Sequence, residues 1–348
     1  MPVYKYKVAK GYKYYFSIKK NSKRIKRTGF NTKSEAMQAE RDFILNSSNI
    51  TNNSNMHTLF DEYFRFCELT KKITTFHVTK LIINKYIKPF FDGYILSNVN
   101  QSIINKWIEY LTEMKISSKR KNRIYQVLRQ IFNYAIENNY IDKNPCSRKS
   151  AFIDSNTIIK EINYWTEDEF NKFINTFEKK DEKWIIFFET LYYTGMRLGE
   201  IQALKWENFD IQRMELAVNK SITNKTGSSS WQIISPKTAK SNRRILLHKY
   251  LFQKLLSIKE KDSEFIFGGS KPLSSTTITR IKNKHCRLAN VKQIKIHDFR
   301  HSHVSLLINK GASPSIVAER LGHSDIAMTL NTYSHLFPNE QQKIVNLL

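Results

Sequence analysis

The 348-residue chain contains no run of about 18 apolar residues, the length a bilayer-spanning helix needs, so no segment is expected to cross a membrane. Its opening stretch, MPVYKYKVAK, lacks the apolar core of a secretory signal. Cysteine is scarce: Cys67, Cys146 and Cys286 are the only three. An odd number at wide spacing fits neither a disulfide framework nor a zinc cluster. It leaves small core or surface thiols, with a reducing cytoplasm as the expected compartment. Acidic residues are in deficit, 31 against 57 Lys and Arg, so the net charge is +26. A surplus that large asks for a polyanionic partner; nucleic acid is the default and an anionic membrane surface the competitor. Internal repeats and long low-complexity tracts are also missing, so repeat architectures do not apply.

The hydrophobic fraction, 41%, is ordinary for a globular protein, and the length predicts two or three domains. The first region is short, basic and aromatic. YKYKVAKGYKYYFSIKKNSKRIKRTGF alternates as strands do, with turns expected at Lys10-Gly11 and Asn21-Ser22. TKSEAMQAERDFIL then reads as a helix whose capping box is Thr32 with Glu35. Residues 1–48 hold twelve Lys/Arg against three Asp/Glu, interleaved with Tyr and Phe on a sheet too small for a large core. That pattern favours nucleic-acid contact over a merely solvated face.

A polar linker, SSNITNNSN (47–55), leads to four helical patterns. Their apolar stripes are Phe60, Tyr63, Phe64 and Cys67; Leu81, Ile82, Tyr86 and Ile87; Ile103, Ile104, Trp107, Ile108 and Leu111; and Ile124, Val127, Leu128, Ile131, Phe132 and Ala135. These stripes describe the core of an all-helical bundle. Lys119, Arg120, Lys121 and Arg123 open the fourth helix at an end expected to face DNA. KNPCSRKSAFIDSNTIIK (143–160) reads as a second linker. The third region starts with a capping box, Thr166 with Glu169, and a deeply apolar helix stopped by Gly195. MELAVNKSI, SWQIISPKT and NRRILLH are strand-like, and helices then continue to the end.

Five residues of this region can together attack a phosphodiester. Arg197 and Arg300 can clamp non-bridging oxygens with forked, charge-assisted bonds. His297 and His323 can hold or move protons near neutral pH. Tyr333 can act as nucleophile and keep the phosphate as a covalent ester. Each alone has a plainer reading. Arg197 can pair with Glu200 one turn on, His323 follows the helix-stop Gly322 in a turn, and Tyr333 is one of seventeen tyrosines. His297 and His301 stand at the i,i+4 spacing of zinc-binding helices. They lack an intervening general-base Glu and a third ligand pattern, so His301 is expected to be structural or to support its neighbours.

In this order and spacing, TGMRLGEI, HDFRHSH, LGHSD and LNTYSHL resemble the boxes of the tyrosine recombinase (phage-type integrase) family. The resemblance covers about 160–348. The helical region is similar to the family's core-type DNA-binding domain, and the N-terminus, ending GFNTKSEA, to the arm-type DNA-binding domain of mobile-element integrases. It implies a multidomain α+β fold in three parts. Residues 1–48 would be an arm-type domain with a three-stranded sheet and a helix. Residues 56–145 would be a helical core-binding bundle. Residues 160–348 would be a mainly helical catalytic domain with a small antiparallel sheet. It also asks for a hairpin lysine, for which Lys237 matches best and Lys240 is the alternative.

The mechanism implied is site-specific recombination that integrates and excises a mobile element. Tyr333 would form a 3′-phosphotyrosine link and release a 5′-hydroxyl. Arg197 and Arg300 would stabilise the phosphate charge, and His297 would serve the tyrosine proton. Lys237 would protonate the leaving oxygen, and His323 would bond the phosphate. The ester conserves bond energy, so no nucleotide cofactor is expected; the arginines replace a metal ion. The helical and catalytic domains would clamp double-stranded DNA at core and arm sites. Four protomers would act together, with an excisionase and a host DNA-bending protein as partners. A type IB topoisomerase, a non-catalytic DNA-binding regulator and a zinc nuclease remain as alternatives.

Overall fold

The computed structural model describes residues 3–8, 11–20, 23–49, 55–147, 151–152, 162–224, 231–235, 241–260 and 263–334. It divides into two compact units, Met1–Thr157 and Ile158–Leu348.

Three antiparallel strands open the first unit: β1 (Val3–Val8), β2 (Gly11–Lys20) and β3 (Lys23–Phe30). Val8 pairs with Gly11 and Lys20 with Lys23, so the chain reverses at both expected turns, although Lys10, Asn21 and Ser22 themselves lie outside the described residues. α1 (Lys33–Asn49) covers one face, burying Phe16 and Ala36. On the other face Tyr4 stacks on Tyr15, and the Lys26 ammonium lies 4.1 Å over the Tyr15 ring. The capping box of α1 differs from expectation in one half. Thr32 Oγ1 accepts from the Glu35 amide, but the Glu35 carboxylate accepts from the Asn31 amide, not from Thr32.

Four helical patterns were expected in the next stretch, and they fold as α2 (Met56–Thr70), α3 (Ile73–Ile82) with α4 (Lys88–Phe91), α5 (Gln101–Glu113) and α6 (Ser118–Glu137). The stripes of α2, α5 and α6 meet in one core, with Phe64, Ile103 and Ile108 at its edge. The second stripe needs correction. Leu81 is 67% exposed, and Ile83 takes its place beside Ile82, Tyr86 and Ile87. A π turn (Ile83–Ile87) joins α3 to α4. The face running through Phe76, Thr79 and Ile82 turns Leu81 outward, because neighbouring helical residues point about 100° apart.

Two further corrections concern charge and linker. Within the Lys119–Arg123 run, Lys121 is buried, and its ammonium donates to the Thr112 carbonyl in the last turn of α5. Lys119, Arg120 and Arg123 are exposed. The expected linker 143–160 starts as part of the bundle. Cys146 is buried, and the Asn122 side chain binds the backbone of Ala151 and Phe152. An asparagine amide that replaces a missing backbone partner is what holds this irregular segment down. Residues 153–161 lie outside the described residues.

The second unit begins with α7 (Glu167–Ile174), whose Thr166/Glu169 capping box is complete. α8 (Glu182–Thr194) and the short α9 (Leu198–Gln202) follow. The strand-like segments form two small sheets, not one. β4 (Phe209–Asp210), β5 (Glu215–Val218) and β8 (Arg243–Leu246) make the first, and β6 (Ser221–Thr223) with β7 (Gln232–Ile234) the second. MELAVNKSI therefore breaks at Asn219-Lys220 and serves both sheets. α10 (Lys249–Ser257), α11 (Ser275–Leu288), α12 (Asp298–Asn309), α13 (Pro314–Leu321) and α14 (Ile326–Tyr333) complete the unit. Phe170, Phe173, Phe187, Phe188 and Phe299 crowd its core around Trp165. α12 is buried nearly all round. Leu306 and Leu307 are only partly covered, whereas Arg300, Ser302, His303 and Ser305 are inside. All three cysteines of the chain are free and buried.

Candidate active site

α8 sets the first element of the site. Its apolar residues force it inside, and it must then stop within the core. Gly195 does this at φ +63°, and a β-carbon there would sit 2.5 Å from the His303 ring. Both the left-handed backbone and the close approach require glycine. The turn delivers Arg197 to the N-cap of α9. Its backbone amide donates to Glu200 Oε2 (2.9 Å) and its Nη1 to Oε1 (2.8 Å), leaving the side chain about one-third exposed. The plain pairing and the functional placement are thus the same contact.

Glu200 is a hub. Its side chain is 5% exposed and also accepts from Arg243 Nη2 at 2.9 Å, a side chain itself 6% exposed. Burial alone would raise the Glu200 carboxyl, but Arg243 and Arg197 outweigh it and hold it below the ordinary carboxylate range. Arg243 Nε in turn donates to the Arg320 carbonyl.

Arg300 lies deeper. Its Nη1 donates to the Gly195 carbonyl (2.9 Å) and its Nη2 to the Leu321 carbonyl (2.8 Å). These are end-of-helix carbonyls of α8 and α13, which lack intrahelical partners and carry partial negative charge. Burial, then Arg197 and Arg243, push the guanidinium down to about 9, still above neutral pH, so it stays cationic. Arg320 extends the network to the Tyr193 and Leu246 carbonyls and to His303 Nε2.

His323 follows Gly322, which closes α13 at φ +68°. Its Nδ1 is 2.8 Å from Thr329 Oγ1, which leaves Nε2 for a ligand. Burial, with Arg300, Arg197 and Arg243, pushes it down to about 4, so the ring is neutral at pH 7. His297 caps α12 and is lowered by burial and by Arg300. Its ring stands perpendicular to His301, 5.4 Å away. Tyr333 ends α14, 3% exposed, packed against Val304, Ile308, Val317 and Leu321. Burial pushes its hydroxyl up to about 12, against a lowering pull from Arg300. The expected partner of that hydroxyl is His297; the group at bonding distance is His301, whose Nδ1 lies 2.5 Å from Tyr333 Oη.

A cleft of 320 Å³ opens over this network, lined among others by Arg197, Glu200, Ser241, His323 and Met328. Tyr333 is not part of its lining. Ser235 and Ser241 both are. Lys237 and Lys240 lie outside the described residues. Arg197 and Arg243 bond Glu200 and Arg300 lies within its electrostatic reach, so positive charge exceeds negative here, an arrangement suited to an anion. No group of three or more His, Cys, Asp or Glu able to hold a metal occurs among the described residues, and no described helix is long and apolar enough to cross a membrane. Sequence reasoning missed Arg243, Arg320 and the contact of His301 with Tyr333. Strand alternation in NRRILLH, which puts Arg243 on the inward side with Ile245, was a usable signal for the first.

Comparison with known proteins locates three matches along the chain. They are the phage integrase family over residues 163–340, a phage integrase N-terminal SAM-like domain over 56–112, and an Arm DNA-binding domain over 2–47. The chain is 30% identical over 335 residues to the ICEBs1 integrase of Bacillus subtilis (strain 168), covering 91% of this chain and 90% of that one. It is 26% identical to a XerC-like tyrosine recombinase of Caldanaerobacter subterraneus subsp. tengcongensis, covering 94% and 92%. Among solved structures, the Tn1549 transposon integrase in complex with transposon right end DNA superposes at a TM-score of 0.67. It is 21% identical, with 84% of this chain and 98% of that chain covered. A lambda integrase tetramer bound to a Holliday junction gives 0.59 at 20% identity, covering 94% and 92%.

Proposed function

Since the chain belongs to the phage integrase family and is a tyrosine-type site-specific DNA recombinase, we propose that it integrates and excises a mobile element through a 3′-phosphotyrosine intermediate. The observation that carries this reading is that Arg197 and His323 line one cleft, while Arg300 binds the carbonyl of Leu321, next to Gly322 and His323, and Tyr333 is buried in the same cluster as Leu321. Arg197 offers a guanidinium about one-third exposed and already aligned by Glu200. Arg300 contributes fixed charge from its buried fork on the Gly195 and Leu321 carbonyls. Losing one such preorganised donor typically costs about 3–4 kcal/mol of barrier. His323 presents Nε2 to a phosphate oxygen, and His297 stands near the same arginines. Lys237 protonates the departing 5′-oxygen, with Lys240 as the alternative. The tyrosyl ester keeps the bond energy for rejoining, so the reaction runs without a nucleotide, and the guanidiniums carry the charge neutralisation.

The reading assigns 1–48 to arm-site binding, 56–145 to core-site binding and 160–348 to catalysis. Its partners are double-stranded DNA at core and arm attachment sites, three further copies of the chain, an excisionase and a host DNA-bending protein, in the cytoplasm. The net charge of +26 supports the first of these. The test is a nicked suicide duplex bearing a core site. The protein should become covalently attached at Tyr333, as mapped by peptide mass, and Tyr333→Phe should bind without attaching. A normal adduct in the phenylalanine variant overturns the assignment of the nucleophile.

A further inference from the structure

We propose that His301 is the general base that takes the Tyr333 proton during strand cleavage and returns it during rejoining. The proposal rests on Tyr333 being the nucleophile. It starts from one contact: His301 Nδ1 lies 2.5 Å from Tyr333 Oη, with ring centroids 5.5 Å apart. A general base must stand within hydrogen-bond reach of the proton it removes, and among the described residues His301 is the side chain that bonds this hydroxyl. His297, at the N-cap of the same helix, stands edge to face with His301.

The protonation states fit. His301 is pushed below the ordinary histidine range by burial, by His297 and by Arg300, with Asp298 opposing, so the ring is neutral at pH 7. These three, with Tyr333 from α14, are the titratable and charged groups acting on it. The Tyr333 hydroxyl keeps its proton, being pushed up to about 12. A neutral imidazole and a protonated phenol at this distance arrange with O–H donating to Nδ1 and the imidazole proton on Nε2. Burial keeps water from substituting as the acceptor, since Tyr333 is 3% exposed.

The step balances. The Tyr333 Oη–P bond forms as the P–O5′ bond breaks. The phenolic proton passes to His301 Nδ1, giving an imidazolium, and the 5′-oxygen takes a proton from the general acid assigned above. In rejoining, an incoming 5′-hydroxyl attacks phosphorus, its proton returns to that acid, and the departing tyrosyl oxygen recovers its own proton from His301. Arg300 and Arg197 stabilise the phosphate in both directions.

A buried tyrosine hydroxyl needs a partner whatever its function, so the test must separate bonding from basicity. His301→Asn supplies an acceptor oxygen near the Nδ1 position but no base in the neutral range. On the nicked suicide duplex, under single turnover with full-length protein, this variant should bind DNA as before. Its adduct formation should fall by about 10²-fold or more, the usual contribution of a positioned base. Its rate should also climb steadily with pH towards the tyrosine's own ionisation, whereas the wild type levels off above the His301 transition. Installing a fluorinated, more acidic tyrosine at position 333 should recover at least tenfold in His301→Asn and little in Arg197→Lys. Cleavage by His301→Asn within threefold of wild type, or a deficit that neither pH nor the acidic tyrosine relieves, overturns the proposal. If His301→Asn folds poorly, the wild-type protein carrying the fluorinated tyrosine decides instead. Its pH profile must keep the His301 limb while the overall rate changes, and loss of that limb overturns the proposal. Tyr333→Phe in the same assay keeps the two readings apart: an adduct there removes Tyr333 as nucleophile, and its absence leaves only His301 in question.

Discussion

Glu200→Gln removes one charge from the centre of the site and changes almost no volume. The carboxylate is 5% exposed and accepts from two guanidiniums and one backbone amide. Glutamine keeps one oxygen, but its amide nitrogen must face Arg197 or Arg243, donor against donor. Arg243, 6% exposed, loses its counter-charge, and breaking a buried pair from one side costs about 3–5 kcal/mol. For a unit of this size, about 3 kcal/mol lowers the melting temperature by roughly 6–12 °C. The pH dependence has a definite sign. The folded carboxyl is held below its unfolded value, so its contribution is present above the unfolded pKa and is lost as pH falls through the folded one. Glu200→Gln should therefore lose stability near pH 7 and show a shallower acid limb than the parent. Urea titrations of both proteins at pH 7 and in steps below pH 5 measure this. The double variant Glu200→Gln with Arg243→Met should be less destabilised than the two single changes summed. A stability change below about 1 kcal/mol at pH 7, or an unchanged acid limb, would refute the view that this carboxylate holds the arginines.

Arg300→Lys should reduce adduct formation by orders of magnitude and also destabilise the second unit, since one ammonium cannot reproduce the fork that spans the Gly195 and Leu321 carbonyls; suicide-substrate cleavage and a melting curve report the two losses separately. Arg197→Lys, on a partly exposed side chain, should match it in cleavage but cost less stability. Gly195→Ala should cost more than about 1 kcal/mol by urea titration, because the left-handed backbone and the His303 contact both oppose a β-carbon. Deleting residues 1–50 should leave core-site cleavage intact and abolish integration into DNA that carries arm sites, as scored by a two-substrate recombination assay.

Local signals were the legible part. The Thr166/Glu169 box, the Gly195 stop, the Gly322 turn and the α6 stripe all depend on contacts within a few residues, and each appears as read. Leu81 was misread because a two-residue apolar pair can face either way until a tertiary partner selects one. Lys121 looked like part of a cationic patch, but its ammonium reaches a carbonyl nine residues back, which composition cannot reveal. The five candidate residues could be named from type and spacing. The groups that hold them could not, because Arg243 meets Glu200 across 43 positions and Tyr333 meets His301 across 32. Lys237 and Lys240 lie outside the described residues, as do Ile344, Leu347 and Leu348, whose i, i+3, i+4 spacing reads as a short apolar stripe.

Leu321, Gly322 and His323 are consecutive. The first gives its carbonyl to Arg300, the second turns the chain, and the third presents its ring to the cleft. Fraying of this one helical end would release two of the groups assigned to the phosphate at once, while the phenylalanine-rich core stayed folded. Conditional alleles, active when cool and silent when warm, should therefore gather around 318–326. Such alleles would recover fully on cooling, which would make the α13–α14 junction a practical place to build a recombinase that is switched by temperature.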